Sequence, residues 1–150
     1  MTTFRTSRQL AASPAAIFAA IQNAERLARW WGPNGFSNRF ESFDFRVGGK
    51  WIFCMVGPDG SSYPNEVLFT AIETDRKLVL RHVCAPHFQL SLTLEANAEG
   101  TLVHWEQVFD DAQVAQALQH IVVPANEQNL DRLSAELSTA RNAATPQSQS

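Results

Sequence analysis

Two histidines bracket a proline near the middle of the chain. His82 and His87 stand on either side of Ala85-Pro86, where the pattern places the facing ends of two strands. Such a pair could share a metal ion, act as a general base, or form a polar rim. A metal site needs three or four ligands in a closed geometry. No third ligand stands at a recognisable spacing, and neither Cys54 nor Cys84 belongs to a Cys-x-x-Cys pair, so no metal ligand is assigned. A second polar group comprises Asn65, Glu66, Asn126, Glu127 and Asn129. A carboxylate turned into an apolar cavity has a raised pKa and can hold or pass a proton. Glu127 also has a simpler role early in a helix, where the macrodipole stabilises negative charge. The sequence carries no nucleophile elbow, phosphate loop or zinc signature, so no catalytic residue is assigned and no cofactor is called for.

Aromatic residues dominate the stretch from Trp30 to Met55. Three of the chain's four tryptophans lie there: Trp30, Trp31 and Trp51. Phe36, Phe43, Phe45 and Phe53 join them, and Gly32-Pro33 and Gly48-Gly49 mark the places where the chain turns. Asp44 and Arg46 are two apart and pair with each other or with neighbours, in a structural role. The question is whether this cluster encloses more protein or a small molecule.

The elements that must position these groups can be read in order. Phe4–Ala12 reads as an opening strand. Ser13-Pro14 is an N-cap followed by a proline at the first helical position, and Ile17, Phe18 and Ile21 recur at helical spacing. A second short helix over Glu25–Trp31 is stopped by Gly32-Pro33. From Phe36 to Asp110 the period is two. Phe43 and Phe45 alternate with Asp44 and Arg46, and Trp51, Phe53 and Met55 share one strand face with Cys54 on the other. Phe88, Leu90, Leu92 and Leu94 form the clearest half-buried strand. Val103, Trp105, Gln107 and Phe109 share a face, which leaves His104 and Glu106 outside. A helical region follows Asp110-Asp111, with a break expected near Val123 because of Pro124 and a secure segment over Glu127–Arg141. Residues 142–150 are polar and predicted to be a disordered tail, so residues 1–141 form one domain.

The order is one strand, two short helices, about six antiparallel strands and a long final helix. An antiparallel sheet with one apolar face and a helix with one apolar stripe bury both by lying across each other. The fold class is α+β, and a bent sheet gripping a helix leaves room for a ligand between them. Net charge is −3, which argues against a nucleic-acid partner. No apolar run approaches the roughly 18 residues of a membrane span, so no membrane insertion is expected. The N-terminus lacks the apolar core of a signal peptide, and the two cysteines are expected as free thiols in a cytoplasmic setting.

Taken together, Trp30-Trp31-Gly32-Pro33, Phe43-Asp44-Phe45-Arg46-Val47-Gly48-Gly49, Gly100-Thr101 and Leu130-Asp131-Arg132-Leu133 resemble the START/Bet v 1-like superfamily. Within it the chain is similar to the branch of the C-terminal domain of the activator of Hsp90 ATPase. The resemblance spans roughly Thr3 to Leu137. It implies a helix-grip fold, a sheet of about seven strands wrapped around the C-terminal helix with a cavity between. Many members carry a Gly-Trp pair where this chain has Ala125-Asn126, so an amide replaces a large apolar group. The resulting expectation is a binding protein for a small, mostly apolar or aromatic, lipid-like molecule. Its wall would comprise Trp30, Phe36, Trp51, Phe53, Phe69, His82, Phe88, Leu90, Trp105, Gln107, Asn126 and Leu130. Two alternatives stay open. One is a cyclase- or hydrolase-like enzyme using the same cavity, with His82 paired to Glu66 or Glu127. The other is an Hsp90-cochaperone-like interaction module. The oligomeric state is left open, a homodimer included.

Overall fold

The computed structural model describes residues 2–144, with side chains through residue 140. Ser13 accepts a hydrogen bond from Ala16 N–H, and α1 (Pro14–Gln22) starts at the proline. Asn23 ends that helix and caps the next by accepting from Arg26 N–H, so α2 (Ala24–Trp30) follows without a loop. The strands are β1 (Thr3–Leu10), β2 (Ser37–Phe43), β3 (Lys50–Val56), β4 (Ser62–Glu73), β5 (Lys77–His82), β6 (Phe88–Asn97) and β7 (Gly100–Phe109). They form one antiparallel sheet in the order β1-β7-β6-β5-β4-β3-β2. The chain ends in α3 (Ala112–Ala144), whose backbone carries on through residues 142–144. The rest of the expected polar tail lies outside the described residues. This is the helix-grip arrangement, a curved seven-stranded sheet holding a long C-terminal helix.

Alternation decides the two faces of the sheet. On β7 every second residue from Thr101 to Phe109 is buried. His104 and Glu106 point outward, where they pair with Glu95 and Arg5. Register shifts between Phe40 and Ser42 and between Phe69 and Ala71 bend the sheet, as extra residues in one strand of a pair do. The core lies inside that bend. It includes Ile17 and Phe18 of α1, Leu27 and Trp30 of α2, and Leu130 and Leu133 of α3. Each such side chain, fully buried, contributes about 1.5–3 kcal/mol of hydrophobic stabilisation.

Two expectations are corrected here. The alternation of Phe43 and Phe45 does not extend β2, which ends at Phe43. Gly48 N–H instead donates to Phe69 O, and Phe69 N–H donates to Gly49 O, so the loop folds onto β4. Gly49 allows this because a Cβ there would collide with the Asp44 carbonyl oxygen. Phe45 still faces inward, with its ring 5.1 Å from that of Phe69. The second correction concerns Pro124, which sits inside α3 without ending it. Proline removes one backbone donor and crowds the preceding turn. Pro124 lies on the exposed side, where the freed carbonyl of His120 can be hydrated and the helix can remain continuous.

The two halves of α3 are held very differently. From Asn126 onward, successive turns are bonded to the body of the protein. Arg8 bridges Glu127 and Asp131, and Asn34 N–H donates to Gln128. Asn129 Nδ2 donates to Trp30 O, and Arg132 reaches the loop after α2. Among the described residues, no side chain of residues 112–124 makes a hydrogen bond or ion pair with another element, and Ala115 is the one buried residue of that half.

Glu136 closes the anchored half. Its carboxylate accepts from Arg26 Nε and from Arg29 Nε and Nη2, all at 3.0 Å, and it is 7% exposed. The hydrogen bonds from Arg29, with help from Arg26, hold its pKa below the ordinary value of 4.5 despite burial. A lowered folded-state pKa gives stability that is fully present above the unfolded value and lost as pH falls through the folded one. Glu136→Gln is therefore expected to lower stability by about 1–3 kcal/mol at neutral pH. The gap between variant and parent should shrink in urea titrations carried out below about pH 4.5. A gap independent of pH would show that the carboxylate charge is not what holds α2 to α3.

Candidate functional site

A cavity of about 480 Å³ lies between the concave face of the sheet and α3. That volume is within the range of about 300–1,000 Å³ usual for small-molecule sites. The helix side is made by Ile121, Val122, Ala125, Asn126 and Asn129. The loop after α2 supplies Trp31, Gly32, Pro33 and Phe36 as a rim. The sheet supplies Phe53 and Met55 from β3, Tyr63, Asn65 and Val67 from β4, and Leu80 and His82 from β5. Phe88 and Leu90 of β6 and Trp105 and Gln107 of β7 complete that side, next to Pro86. Among the described residues no Asp, Glu, Lys or Arg side chain lines it.

The aromatic part of the wall is layered. Trp31 stacks on Trp105, with ring centroids 6.0 Å apart, and meets Trp51 edge-on at 5.2 Å. Trp51 lies behind, stacked on Phe53 at 4.0 Å and edge-on to Phe40 and Phe43. The backbone explains the different directions of the two neighbouring tryptophans. Trp30 is the last residue of α2, and its indole donates to Ala20 O inside the core. Trp31 is the extended cap, which turns its ring towards the sheet.

The rim is set by α3. Gly32 N–H donates to Asn129 Oδ1 at 3.3 Å, and Gly32 has φ of +99°. A Cβ there would both strain the backbone and lie 2.7 Å from Met55 Cε. Arg132 donates to five carbonyl oxygens, those of Arg29, Trp31, Gly32, Pro33 and Phe36, at 2.7–3.1 Å. Burial lowers its pKa, and among the described residues its hydrogen-bond partners are carbonyl oxygens, whose dipoles balance the charge.

The polar side chains on the wall include Tyr63, Asn65, His82, Gln107, Asn126 and Asn129. Asn126 Nδ2 donates to Gln107 Oε1 at 3.1 Å, joining helix to sheet. His82, 5% exposed, stacks on Phe88 with ring centroids 4.6 Å apart. Its Nδ1 lies 2.7 Å from Pro86 O and its Nε2 lies 2.6 Å from Asn65 Oδ1. Each ring nitrogen thus faces an oxygen, and only a protonated ring donates to both. Burial opposes that proton most strongly and sets the pKa below the ordinary imidazole value, with Arg81 and His87 adding repulsion. The Pro86 carbonyl pulls the other way.

Of the residues expected on the wall, Phe36, Phe53, His82, Phe88, Leu90, Trp105, Gln107 and Asn126 line the cavity. Trp30, Trp51, Phe69 and Leu130 do not. All four are fully buried in the core around it. Trp30 faces α1, Trp51 and Phe69 back the rim aromatics, and Leu130 lies one helical turn beyond Asn126, deeper in the core. The wall also contains residues the expected set lacked. Met55 shares the strand parity of Phe53, and Ala125 lies four residues from both Ile121 and Asn129 on α3, so strand parity and helical spacing account for both. Leu80 and Val67 depended on which strands are neighbours, which periodicity does not say.

Neither carboxylate weighed as a partner for His82 bonds to it. Glu66 pairs with Lys50 at 3.3 Å, and Glu127 pairs with Arg8 at 3.0 Å. His87 is exposed. Both cysteines are free, and Cys84 Sγ lies 3.5 Å from His82 Nε2. Among the described residues no cluster of three or more His, Cys, Asp or Glu side chains could hold a metal ion. No helix among them is long and apolar enough to cross a membrane.

Residues 11–138 match the family described as Activator of Hsp90 ATPase homolog 1-like protein. No curated protein matches the sequence. Solved structures do. A protein from Arthrobacter aurescens superimposes with a TM-score of 0.85 at 23% identity, covering 92% of this chain and 87% of its own. One from Nitrosomonas europaea gives 0.84 at 17% identity, over 94% and 97% of the two chains. An AHSA1-like protein from Aeromonas hydrophila gives 0.74 at 18% identity, over 92% and 93%. At these identities the likeness is one of fold.

Proposed function

The chain belongs to the Activator of Hsp90 ATPase homolog 1-like family, and on that premise we propose that it binds a small, mostly apolar or aromatic molecule between its sheet and α3. The observation that carries this reading is the cavity itself. It is ligand-sized, and aromatic rings, aliphatic side chains and a few amides form its wall. Apolar side chains lining such a space stay in contact with water, and a ligand that covers them gains hydrophobic free energy. The ion pairs of the polar groups support the binding reading. Among the described residues His82 bonds to no carboxylate, and Glu66 and Glu127 are held in ion pairs with Lys50 and Arg8.

Ala125→Phe tests the reading. Ala125 lies on the helix side of the cavity, and a phenyl ring there would occupy the space a ligand needs. The variant is expected to melt within a few degrees of the parent. It should lose at least about tenfold in affinity for a neutral apolar fluorophore such as Nile red, since a filled pocket forfeits the ligand's buried contacts. Unchanged binding in a folded variant would place the fluorophore elsewhere and sink the proposal.

A further inference from the structure

We infer that the ligand is uncharged and carries an amide-like edge, a hydrogen-bond donor beside an acceptor, which Gln107 and Asn126 read together. The inference rests on the cavity being the binding site.

Charge is the first observation. Among the described residues no cationic or anionic side chain lines the space. The nearby guanidiniums are already engaged: Arg132 donates to five loop carbonyls, and Arg8 is bound to Glu127 and Asp131. A carboxylate or phosphate entering here would give up its water and meet no cation, which burial of a charge does not tolerate. His82 does not fill that role, because Pro86 and Asn65 occupy both of its ring nitrogens.

The amide pair is the second observation. One bond joins the two amides, from Asn126 Nδ2 to Gln107 Oε1. That leaves the Gln107 amino group and the Asn126 carbonyl with no partner among the described residues. Neither is sealed away: the buried unpartnered side-chain atoms are Asn38 Oδ1, Trp51 Nε1 and Trp105 Nε1. Both residues face the cavity, and Gln107 is 8% exposed. Turning both amides over exchanges their roles and still leaves one donor and one acceptor. The pair therefore offers a donor beside an acceptor in either orientation. A carboxamide or lactam edge satisfies both, a carboxylate can use only the donor, and a hydrocarbon leaves both unmet. Sites built to hydrogen-bond a group discriminate strongly against analogues that lack it. Trp31, Phe53 and Trp105 in the same wall favour a flat ring system attached to that edge.

Three matched probes separate the possibilities: 2-naphthamide, 2-naphthoate and 2-ethylnaphthalene, titrated calorimetrically at about pH 7.5, where the acid is ionised. The amide should bind at least about tenfold more tightly than either of the others. Asn126→Leu should bring the amide down to the level of the hydrocarbon without weakening the hydrocarbon. Gln107→Met serves the same purpose should the first variant fail to fold. Naphthoate binding as tightly as the amide would overturn the inference while leaving the cavity as a binding site. So would an amide advantage that survives both substitutions. Failure of all three probes to bind would overturn the underlying reading, and this inference with it.

Discussion

Arg132→Ala should lower the stability of this protein by about 3 kcal/mol, because several charge-assisted hydrogen bonds to partly buried carbonyls are lost at once. For a chain of this size that corresponds to a fall in melting temperature of roughly 2–4 °C per kcal/mol. The five carbonyls belong to Arg29, Trp31, Gly32, Pro33 and Phe36. Together they fix the path of the loop that forms the cavity rim. Arg132→Lys should recover less than half of the loss. A lysine has three donors on one nitrogen and cannot span carbonyls that a planar fork reaches from two sides. The loop position should suffer with the stability, so probe binding should weaken in both variants. Urea denaturation together with Nile red titration would check both effects. A loss of under about 1 kcal/mol would mean that water replaces the guanidinium without penalty and that the rim holds its own shape.

Trp105→Ala is expected to remove about 3–5 kcal/mol, the usual range for truncating a fully buried aromatic. Trp105 is 3% exposed and lies on β7 between Thr6 of β1 and Leu92 of β6. Its ring stacks on Trp31. No hydrogen bond is forfeited, because its Nε1 is buried without a partner among the described residues. Trp105→Phe should therefore cost much less, since it keeps the ring contact and removes an orphaned donor. The alanine variant also merges the vacated volume with the cavity, so its affinity for a bulkier apolar probe should rise relative to a small one. A loss of about 1 kcal/mol or less from the alanine substitution would show that Trp31 repacks to fill the space, and that this wall is loose.

Much of the architecture was legible because its determinants are local. A period of two on β6 and β7 assigns Leu90, Trp105 and Gln107 to one face with no knowledge of their neighbours. Ser13-Pro14 fixes the start of α1 in the same way. What was not legible depended on contacts distant in sequence or on hydration. Pro124 breaks many helices, yet whether it ends this one depends on its facing solvent. Trp30 and Trp31 are indistinguishable by composition, and the choice between core and cavity is made by the end of α2. Leu130-Asp131-Arg132-Leu133 helped to identify the fold, but nothing in those four residues shows that Arg132 gathers the carbonyls of a loop about a hundred positions earlier. The carboxylates proposed for His82 were plausible in one dimension and are committed to Lys50 and Arg8 in three.

The uneven anchoring of α3 gives the molecule two scales of local stability. Segments with few buried contacts and solvent-exposed backbone hydrogen bonds open at free energies well below that of global unfolding. Residues 112–124 fit that description, whereas the turns from Asn126 onward are tied to α1, α2 and β1. Amide hydrogen exchange should therefore change sharply at Pro124, fast before it and slow beyond about Leu130. Ile121 and Val122, on the fast side, belong to the cavity wall, while Asn126 and Asn129 sit on or next to the slow side. The rate at which a molecule reaches the cavity and the strength with which it is held are thus governed by different halves of one helix. Substitutions before Pro124 should act mainly on association and dissociation rates together, and those after it on the equilibrium.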